Sequence, residues 1–411
     1  MYDLAILWDW IAFVVRWLHV ITAMAWIGAS FFFIALDLGL KKALGMPDGV
    51  SGEEWQVHGG GFYHIQKYMV APNNMPQHLI WHKWQSYFTW LSGAALLMIV
   101  YWAGGELFLL DPTKADLTLF QGILISGGSL TIGWICYDFM CKSKLGERPT
   151  LLMLLLFVIL IAMSWGYNEI FTGRAALLHL GAFTATIMTA NVFFIIMPNQ
   201  RIVVKDLKEG RTPDAKYGKI AKLRSTHNNY LTLPVIFLML SNHYPLSFGT
   251  EYSWIIASLV FLTGVTIRHY FNTMHATGKG PHWTWGVTIM LMLIIAWLST
   301  AGPTETVEEA ELRPLTAVEQ QYVSADGFEA AYDTVLGNCS MCHAREPFWN
   351  NMQWAPKGVY LETQADVARY ADQIYLHAGL SRAMPPPNAI QMSDEARATI
   401  VAWIREVRTG S

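Results

Sequence analysis

The sequence predicts an all-α fold: a polytopic membrane helical bundle of about eight transmembrane helices, followed by a small soluble helical domain. Three observations carry that expectation. Apolar stretches long enough to cross ~30 Å of hydrocarbon recur through the first three quarters of the chain. Charged residues make up 14% of the 411 positions, where soluble domains carry about 25%. After residue 302 the composition turns abruptly from apolar to acidic and polar.

The remaining composition fits. Aromatic residues reach 13%, with 18 Trp, as expected when many helix ends lie at membrane interfaces. A net charge of −3 gives no basis for nucleic-acid binding. Four cysteines are too few for a disulfide scaffold. The start MYDLAILWDW lacks a basic leader, so the first helix is expected to serve as an uncleaved targeting signal.

The apolar stretches fall near 9–39, 86–104, 117–140, 150–167, 175–198, 230–246, 252–272 and 283–302. The sixth is the weakest, because Asn242 and His243 sit near its end. Lys41, Lys42, Lys67 and Lys83 follow the first, Lys142, Lys144 and Arg148 the third, and a basic run from Arg201 to Arg224 the fifth. The even connections hold only Lys114 and Arg174. The positive-inside rule then makes the odd loops cytoplasmic and puts both termini outside. In a Gram-negative bacterium that is the periplasmic side of the inner membrane.

Residues 1–302 are thus expected to form the membrane domain, 303–324 an acidic linker, and 325–411 a soluble domain. The last carries Cys339-Ser340-Met341-Cys342-His343. In C-x-x-C-H the thiols form thioethers to haem vinyl groups and the His ligates iron, which makes this a candidate class I cytochrome c with one covalent haem c. A helical segment, GFEAAYDTVLGN, precedes the motif, and an amphipathic one from about 393 to 408 contains Trp403. Met384, before Pro385, is the expected sixth ligand; His/Met ligation raises the reduction potential. Met352, in an irregular stretch, and Met392, at the start of the last helix, are weaker choices. Bacterial haem c is attached on the periplasmic side, in agreement with the charge-derived orientation.

Ionisable groups within spans are functional candidates by default. Arg16 and His19 lie in helix one, Asp138 in helix three, His179 and Asn191 in helix five. His19 and His179 sit among apolar neighbours, and a neutral imidazole in a bundle core suits haem iron, so a haem b is a second cofactor expectation. The segment Arg224-Ser225-Thr226-His227-Asn228-Asn229-Tyr230 offers cation, base, amides and an aromatic face together. His82, Lys83 and His269 lie at the same cytoplasmic level, whereas His58, His64, His243, His275, His282 and His377 read as surface or packing residues. Cys136 and Cys141 read as ordinary buried thiols.

The stretches WLHVITAMAWIGASFFF, WHKWQSYFTWLSG, GRAALLHLGAFTATIMTANVFFIIMPNQ and HNNYLTLPVIFLMLSNHYP, with the C-x-x-C-H tail, resemble the bacterial membrane-bound urate hydroxylases. Those proteins fuse a urate oxidase N-terminal membrane domain to a cytochrome c. The resemblance covers nearly the whole chain. It implies conversion of urate to 5-hydroxyisourate with water as oxygen source, and electrons leaving through haem c to a soluble cytochrome c or terminal oxidase without hydrogen peroxide. The helix-one pattern also resembles membrane families in which a first-helix His binds haem b. On this resemblance His227 is the expected base, and Asn228 or Asn229 the ligands of the purine ring.

Two other classes remain open at this point. One is a different haem-dependent membrane oxidoreductase acting on quinol or porphyrinogen. The other is a permease tethered to an electron carrier, disfavoured by the lack of an evident inverted repeat or paired broken helices.

Overall fold

The computed structural model describes residues 3–69, 72, 75–301, 306–349, 352, 354–386 and 389–409. Eight long helices occupy the first three quarters: α1 (Leu4–Gly39), α2 (Trp84–Leu96), α3 (Leu119–Lys142), α4 (Pro149–Asn168), α5 (Gly173–Ala190), α6 (Ala215–Ser241), α7 (Ser253–Thr277) and α8 (Trp283–Leu298). Helix α2 runs on through a π-helical turn, Leu97–Trp102; α5 does so through Asn191–Ile196 and then Met197–Lys208.

Five helical segments are long and apolar enough to cross a membrane by length and composition: Leu4–Gly39, Leu119–Lys142, Pro149–Asn168, Gly173–Lys208 and Ser253–Thr277. The other three of the expected eight are helical but fall short for separate reasons. Helix α2, followed through its π turn to Trp102, opens on the polar stretch WQSYFTW, α8 is 16 residues, and α6 opens on the basic run AKYGKIAKLR. Helix α6 starts fifteen residues before the expected span, because Asp214 caps it by accepting from the Lys216 amide at 2.9 Å. The outer faces of α1, α4 and α8 are apolar: Trp17, Met24, Leu154, Val158, Ile289, Leu293 and Trp297 are all exposed, as lipid-facing residues are.

Helix α5 is the most enclosed. It packs on α3, α4 and α6, while α7 joins α4, α6 and α8, and α1 lies along α2. Leu177, Leu180, Phe183 and Ile187 of α5 form the centre of the core with Leu156, Leu160, Leu231, Leu238 and Phe261. Pro234 interrupts the hydrogen bonding inside α6 and packs directly on Gly264 of α7, where any side chain would collide with the ring.

Between α1 and α2 lies an unexpected hairpin, β1 (Val50–His58) and β2 (Gly61–Tyr68), closed by Gly59 and Gly60 at φ +58° and +78°. Two positive-φ glycines are what a twist-compatible two-residue hairpin turn requires.

The tail begins with α9 (Val307–Glu311) and α10 (Ala317–Val323), each opened by a Thr–Glu capping box. Most of the expected linker is therefore helical. Helices α11 (Phe328–Cys339), α12 (Gln364–Arg369) and α13 (Asp394–Thr409), with the π turn Tyr375–Leu380, build a second core from Phe328, Val335, Val367, Tyr375, Ile400, Trp403 and Ile404. The Trp403 indole donates to the Tyr322 carbonyl at 3.0 Å, which satisfies its one buried polar atom.

The tail contacts one end of the bundle. Tyr375 Oη donates to Asp3 at 2.8 Å, and Gly358 packs against Pro245 and Phe248. Leu110 bridges Phe171 at this same end, and Thr250 Oγ1 reaches the Leu298 carbonyl. The even connections and the tail thus share one end, the one poor in Lys and Arg.

Candidate functional site

Near the opposite end a chain of buried polar groups crosses four helices. It starts at Asp138 on α3, whose carboxylate accepts from Arg224 of α6 at 2.6 Å and from Lys142 one turn on at 2.6 Å. Arg224 is 2% exposed and lies over the Tyr137 ring at 4.9 Å. Its second amino group donates to Asn191 Oδ1 at 3.1 Å. That bond fixes the Asn191 amide, whose nitrogen then donates to Tyr137 Oη at 3.1 Å and Asn228 Oδ1 at 2.9 Å. Tyr137 Oη in turn bonds His227 Nδ1 at 2.7 Å. The far ring nitrogen of His227, Nε2, is buried and has no hydrogen-bond partner.

Asn229 turns the other way, toward α7. Its Oδ1 accepts from Arg268 Nε at 3.3 Å and Asn272 Nδ2 at 2.8 Å, and its own amide nitrogen is buried without a partner. Arg268 is 7% exposed, stacks on Phe31 at 4.2 Å and donates to Asn272 at 3.0 Å. An unsatisfied buried donor or acceptor costs about 1–3 kcal/mol, so two within three residues of one helix single out this segment. Asn228 is different: besides accepting from Asn191 it donates to the Met188 carbonyl at 2.9 Å, so both ends of its amide are engaged.

Among the described residues no hydrogen bond joins His82, Lys83 or His269 to this network. His82 packs on Phe33, Lys83 lies over Trp84 and His269 faces Trp283. The sequence reading missed Tyr137, Arg268 and Asn272. Arg268 was discoverable by the rule that flagged Asp138, since it too lies within an apolar helix.

The two intramembrane histidines differ. His19 Nδ1 bonds the Thr89 carbonyl at 2.9 Å and Ser92 Oγ at 3.1 Å. Nδ1 therefore carries the proton and Nε2 presents a lone pair, the tautomer that a metal-ligating histidine adopts. The ring lies so close to Gly93 that a methyl group there would come within 3.0 Å of its Cε1. His179 is fully buried, with Nδ1 on the Ala175 carbonyl and Nε2 on Ser126 Oγ, each at 2.8 Å. Both its nitrogens are engaged within the protein, so iron at Nε2 would have to displace the Ser126 hydroxyl. Cys136 is exposed on α3 and Cys141 half-buried, so the expectation of two buried thiols fails for Cys136.

In the tail, α11 ends at Cys339 and the chain turns so that the His343 amide donates to the Cys339 carbonyl at 3.0 Å. His343 Nδ1 bonds the Val359 carbonyl at 2.9 Å, again leaving Nε2 open. Burial lowers the pKa of this imidazole, and the Val359 bond opposes the shift. Burial also pushes the Cys339 thiol up to about 12 and raises that of Cys342. Met384 is tied by its amide to the His377 carbonyl and by its carbonyl to Arg397, both at 2.9 Å, yet its side chain is 41% exposed. Met392, at 6% exposure, is used up in core packing. Two free thiols, an imidazole of the right tautomer and an uncovered thioether suit a covalent haem. No group of three or more His, Cys, Asp or Glu gathers among the described residues, and an iron held by one His and one Met needs none.

A bundle with apolar outer faces, a buried charged network near one end and a small helical tail on the other defines an α-helical protein of membrane type. The chain belongs to the urate oxidase N-terminal family, whose model matches residues 5–299. Membership connects it with the enzymes of urate metabolism; the tail lies outside the match. No curated protein and no solved structure matches the chain.

Proposed function

We propose that the protein is a membrane-bound urate hydroxylase that passes electrons through a haem c to the respiratory chain. The observation that carries this reading is the orphaned His227 Nε2 in a family tied to urate. The overall change is urate plus water to 5-hydroxyisourate, two electrons and two protons. In this reading His227 Nε2 takes a proton from urate or water. Tyr137 positions the ring through Nδ1, and Asn191 and Arg224 hold Tyr137. Asn229 offers its free amide N–H to a purine carbonyl, while Asn228, with both ends engaged, is a positioning residue. Arg268 supplies positive charge behind Asn229 for an anionic purine.

Haem c would be held by Cys339, Cys342, His343 and Met384, and a haem b by His19; bound there, such groups carry electrons one at a time. His343 is fixed by Val359 and His19 by Thr89, so each presents Nε2 without reorientation. The tail faces the periplasm of a bacterial inner membrane, and a soluble cytochrome c or terminal oxidase accepts the electrons. Water supplies the oxygen, so no hydrogen peroxide forms. The test is turnover of urate by the purified full-length protein with an artificial electron acceptor under argon. Turnover without oxygen supports the reading, and a strict need for O₂ with peroxide release overturns it.

A further inference from the structure

Two arginines are buried among the described residues of the bundle, and they are held in opposite ways. Arg224 meets a carboxylate, that of Asp138 at 2.6 Å. Arg268, 7% exposed within α7, has no ion-pair partner among the described residues and is held by two neutral amides. A guanidinium stays protonated in proteins, so its charge is enclosed there without a counter-charge. An ionised group so placed inside a membrane span is a functional candidate.

The packing of two helices puts it there. Pro234 of α6 lies directly on Gly264 of α7, which lets the two helices approach closely. Four residues further along α7 is Arg268, and five residues back along α6 is Asn229, which Arg268 meets. Asn272 follows Arg268 by four residues and so shares its helix face. The three side chains close a triangle. Arg268 Nε donates to Asn229 Oδ1 at 3.3 Å, its Nη2 donates to Asn272 Oδ1 at 3.0 Å, and Asn272 Nδ2 donates to Asn229 Oδ1 at 2.8 Å. Phe31 of α1 covers the guanidinium at 4.2 Å. Both amide oxygens are thus engaged inside the triangle. Two donors remain. Arg268 Nη1 enters no hydrogen bond among the described residues, and the Asn229 amide nitrogen is buried without a partner. N–H groups joined to an enclosed positive charge suit a ligand that brings lone pairs and negative charge together.

We propose that Arg268 is the specificity-determining residue of the purine site: it takes the urate anion through a deprotonated ring nitrogen and the carbonyl beside it, with the Asn229 amide on a second carbonyl. The proposal rests on the urate reading given above and adds a rule for which purines enter. Urate is a monoanion in neutral and slightly acidic water. Xanthine has the same pyrimidine ring but is mostly neutral in slightly acidic water, and keeps an N–H where the anion has a lone pair. Against Arg268 that N–H meets another N–H, so the neutral purine is rejected by facing donors and an unpaired charge. Asn272 and Phe31 are positioning residues that fix the edge and the plane of the guanidinium.

The test is steady-state turnover of urate by full-length protein with an artificial acceptor in slightly acidic buffer, with xanthine as competing ligand, for the wild type, Arg268→Gln and Arg268→Lys. Arg268→Gln should raise the urate KM roughly 10- to 100-fold with a much smaller change in kcat, and should move the xanthine inhibition constant little. Arg268→Lys keeps the charge and should recover part of the loss. Equal weakening of urate and xanthine would mean that Arg268 shapes the pocket without reading charge. An unchanged urate KM would place Arg268 outside the pocket. Either result overturns the proposal while the urate reading stands. The wild type gives a check that needs no variant to fold: urate should bind at least ~10-fold more tightly than xanthine, and equal affinities overturn the proposal. A wild-type protein that neither binds nor oxidises urate removes the urate reading, and this specificity with it.

Discussion

At the end of the bundle far from the tail, Arg224 is enclosed by Asp138, Asn191 and the Tyr137 ring, and every step of the chain to His227 Nδ1 is hydrogen-bonded. At the tail end, Arg174 is half-buried with its Nε unpartnered and Arg16 is exposed, and neither has an ion-pair partner among the described residues. Buried charge is tolerated where it is paired and costly where it is not. A paired network is self-sufficient and holds a geometry, so what it leaves free, His227 Nε2 and the Asn229 amide, marks where a polar substrate would dock. Charge that stands half-buried or exposed at the tail end is solvated rather than enclosed, and it fixes no such geometry. The two ends thus differ in kind: one holds fixed donors and acceptors in the interior, and the other carries its charge toward the surface.

That contrast can be broken in several ways. The largest effect is expected in the tail. His343→Ala, or Cys339→Ala with Cys342→Ala, should abolish covalent haem in a denaturing haem stain of membranes; retention of covalent haem would remove the cytochrome reading. Next, His227→Gln should lower urate turnover about 10²–10⁴-fold, the range for loss of a general base, with haem content intact. Asn228→Ala should cost less than Asn229→Ala if Asn228 only positions, and equal losses would erase that distinction.

Much of this contrast could not be read along the chain. The C-x-x-C-H motif is local and was legible at once, as were the apolar stretches that became α1, α3, α4, α5 and α7. The hairpin was legible but overlooked: Gly59-Gly60 between VSGEEWQVH and GFYHIQKY is a turn signal. The network was not, because its pairs are far apart. Arg224 and Asp138 are 86 residues apart, and nothing in either helix's periodicity says which partner it will meet. The positive-inside rule made Arg224 look like ordinary loop charge; only the early start of α6, capped by Asp214, brings it inside. His19 and His179 looked alike in sequence, and tertiary packing separates them: His179 is fully buried with Ser126 on its Nε2, whereas His19 is half-buried and held through Nδ1.

A smaller effect is expected from the far-end pair. Asp138→Asn leaves Arg224 buried beside an amide, and breaking such a pair costs about 3–5 kcal/mol. Thermal unfolding in detergent should show this as a clear drop, and Asp138→Asn with Arg224→Met should recover part of it. An unchanged melting temperature would mean that Lys142 and solvent, not Arg224, set the role of Asp138.

The smallest effect concerns pH. Cys339 in the apo tail is held protonated up to about 12, whereas an unfolded thiol ionises near 8.5. Above that value the unfolded chain binds fewer protons than the folded one, so stability falls as pH rises from about 8.5 toward 12. Protein made without haem attachment should destabilise across that window, and protein with thioethers formed should not, as followed by Trp fluorescence. Identical profiles for the two preparations would mean that Cys339 carries no thioether.

The most direct test of the central claim is an anaerobic optical spectrum of membranes containing the protein, before and after urate. The account predicts that urate alone reduces a c-type haem band, and that His227→Gln prevents this while dithionite still reduces the band. A band that dithionite or quinol reduces and urate does not would contradict it, leaving the tail a cytochrome without urate as its electron source.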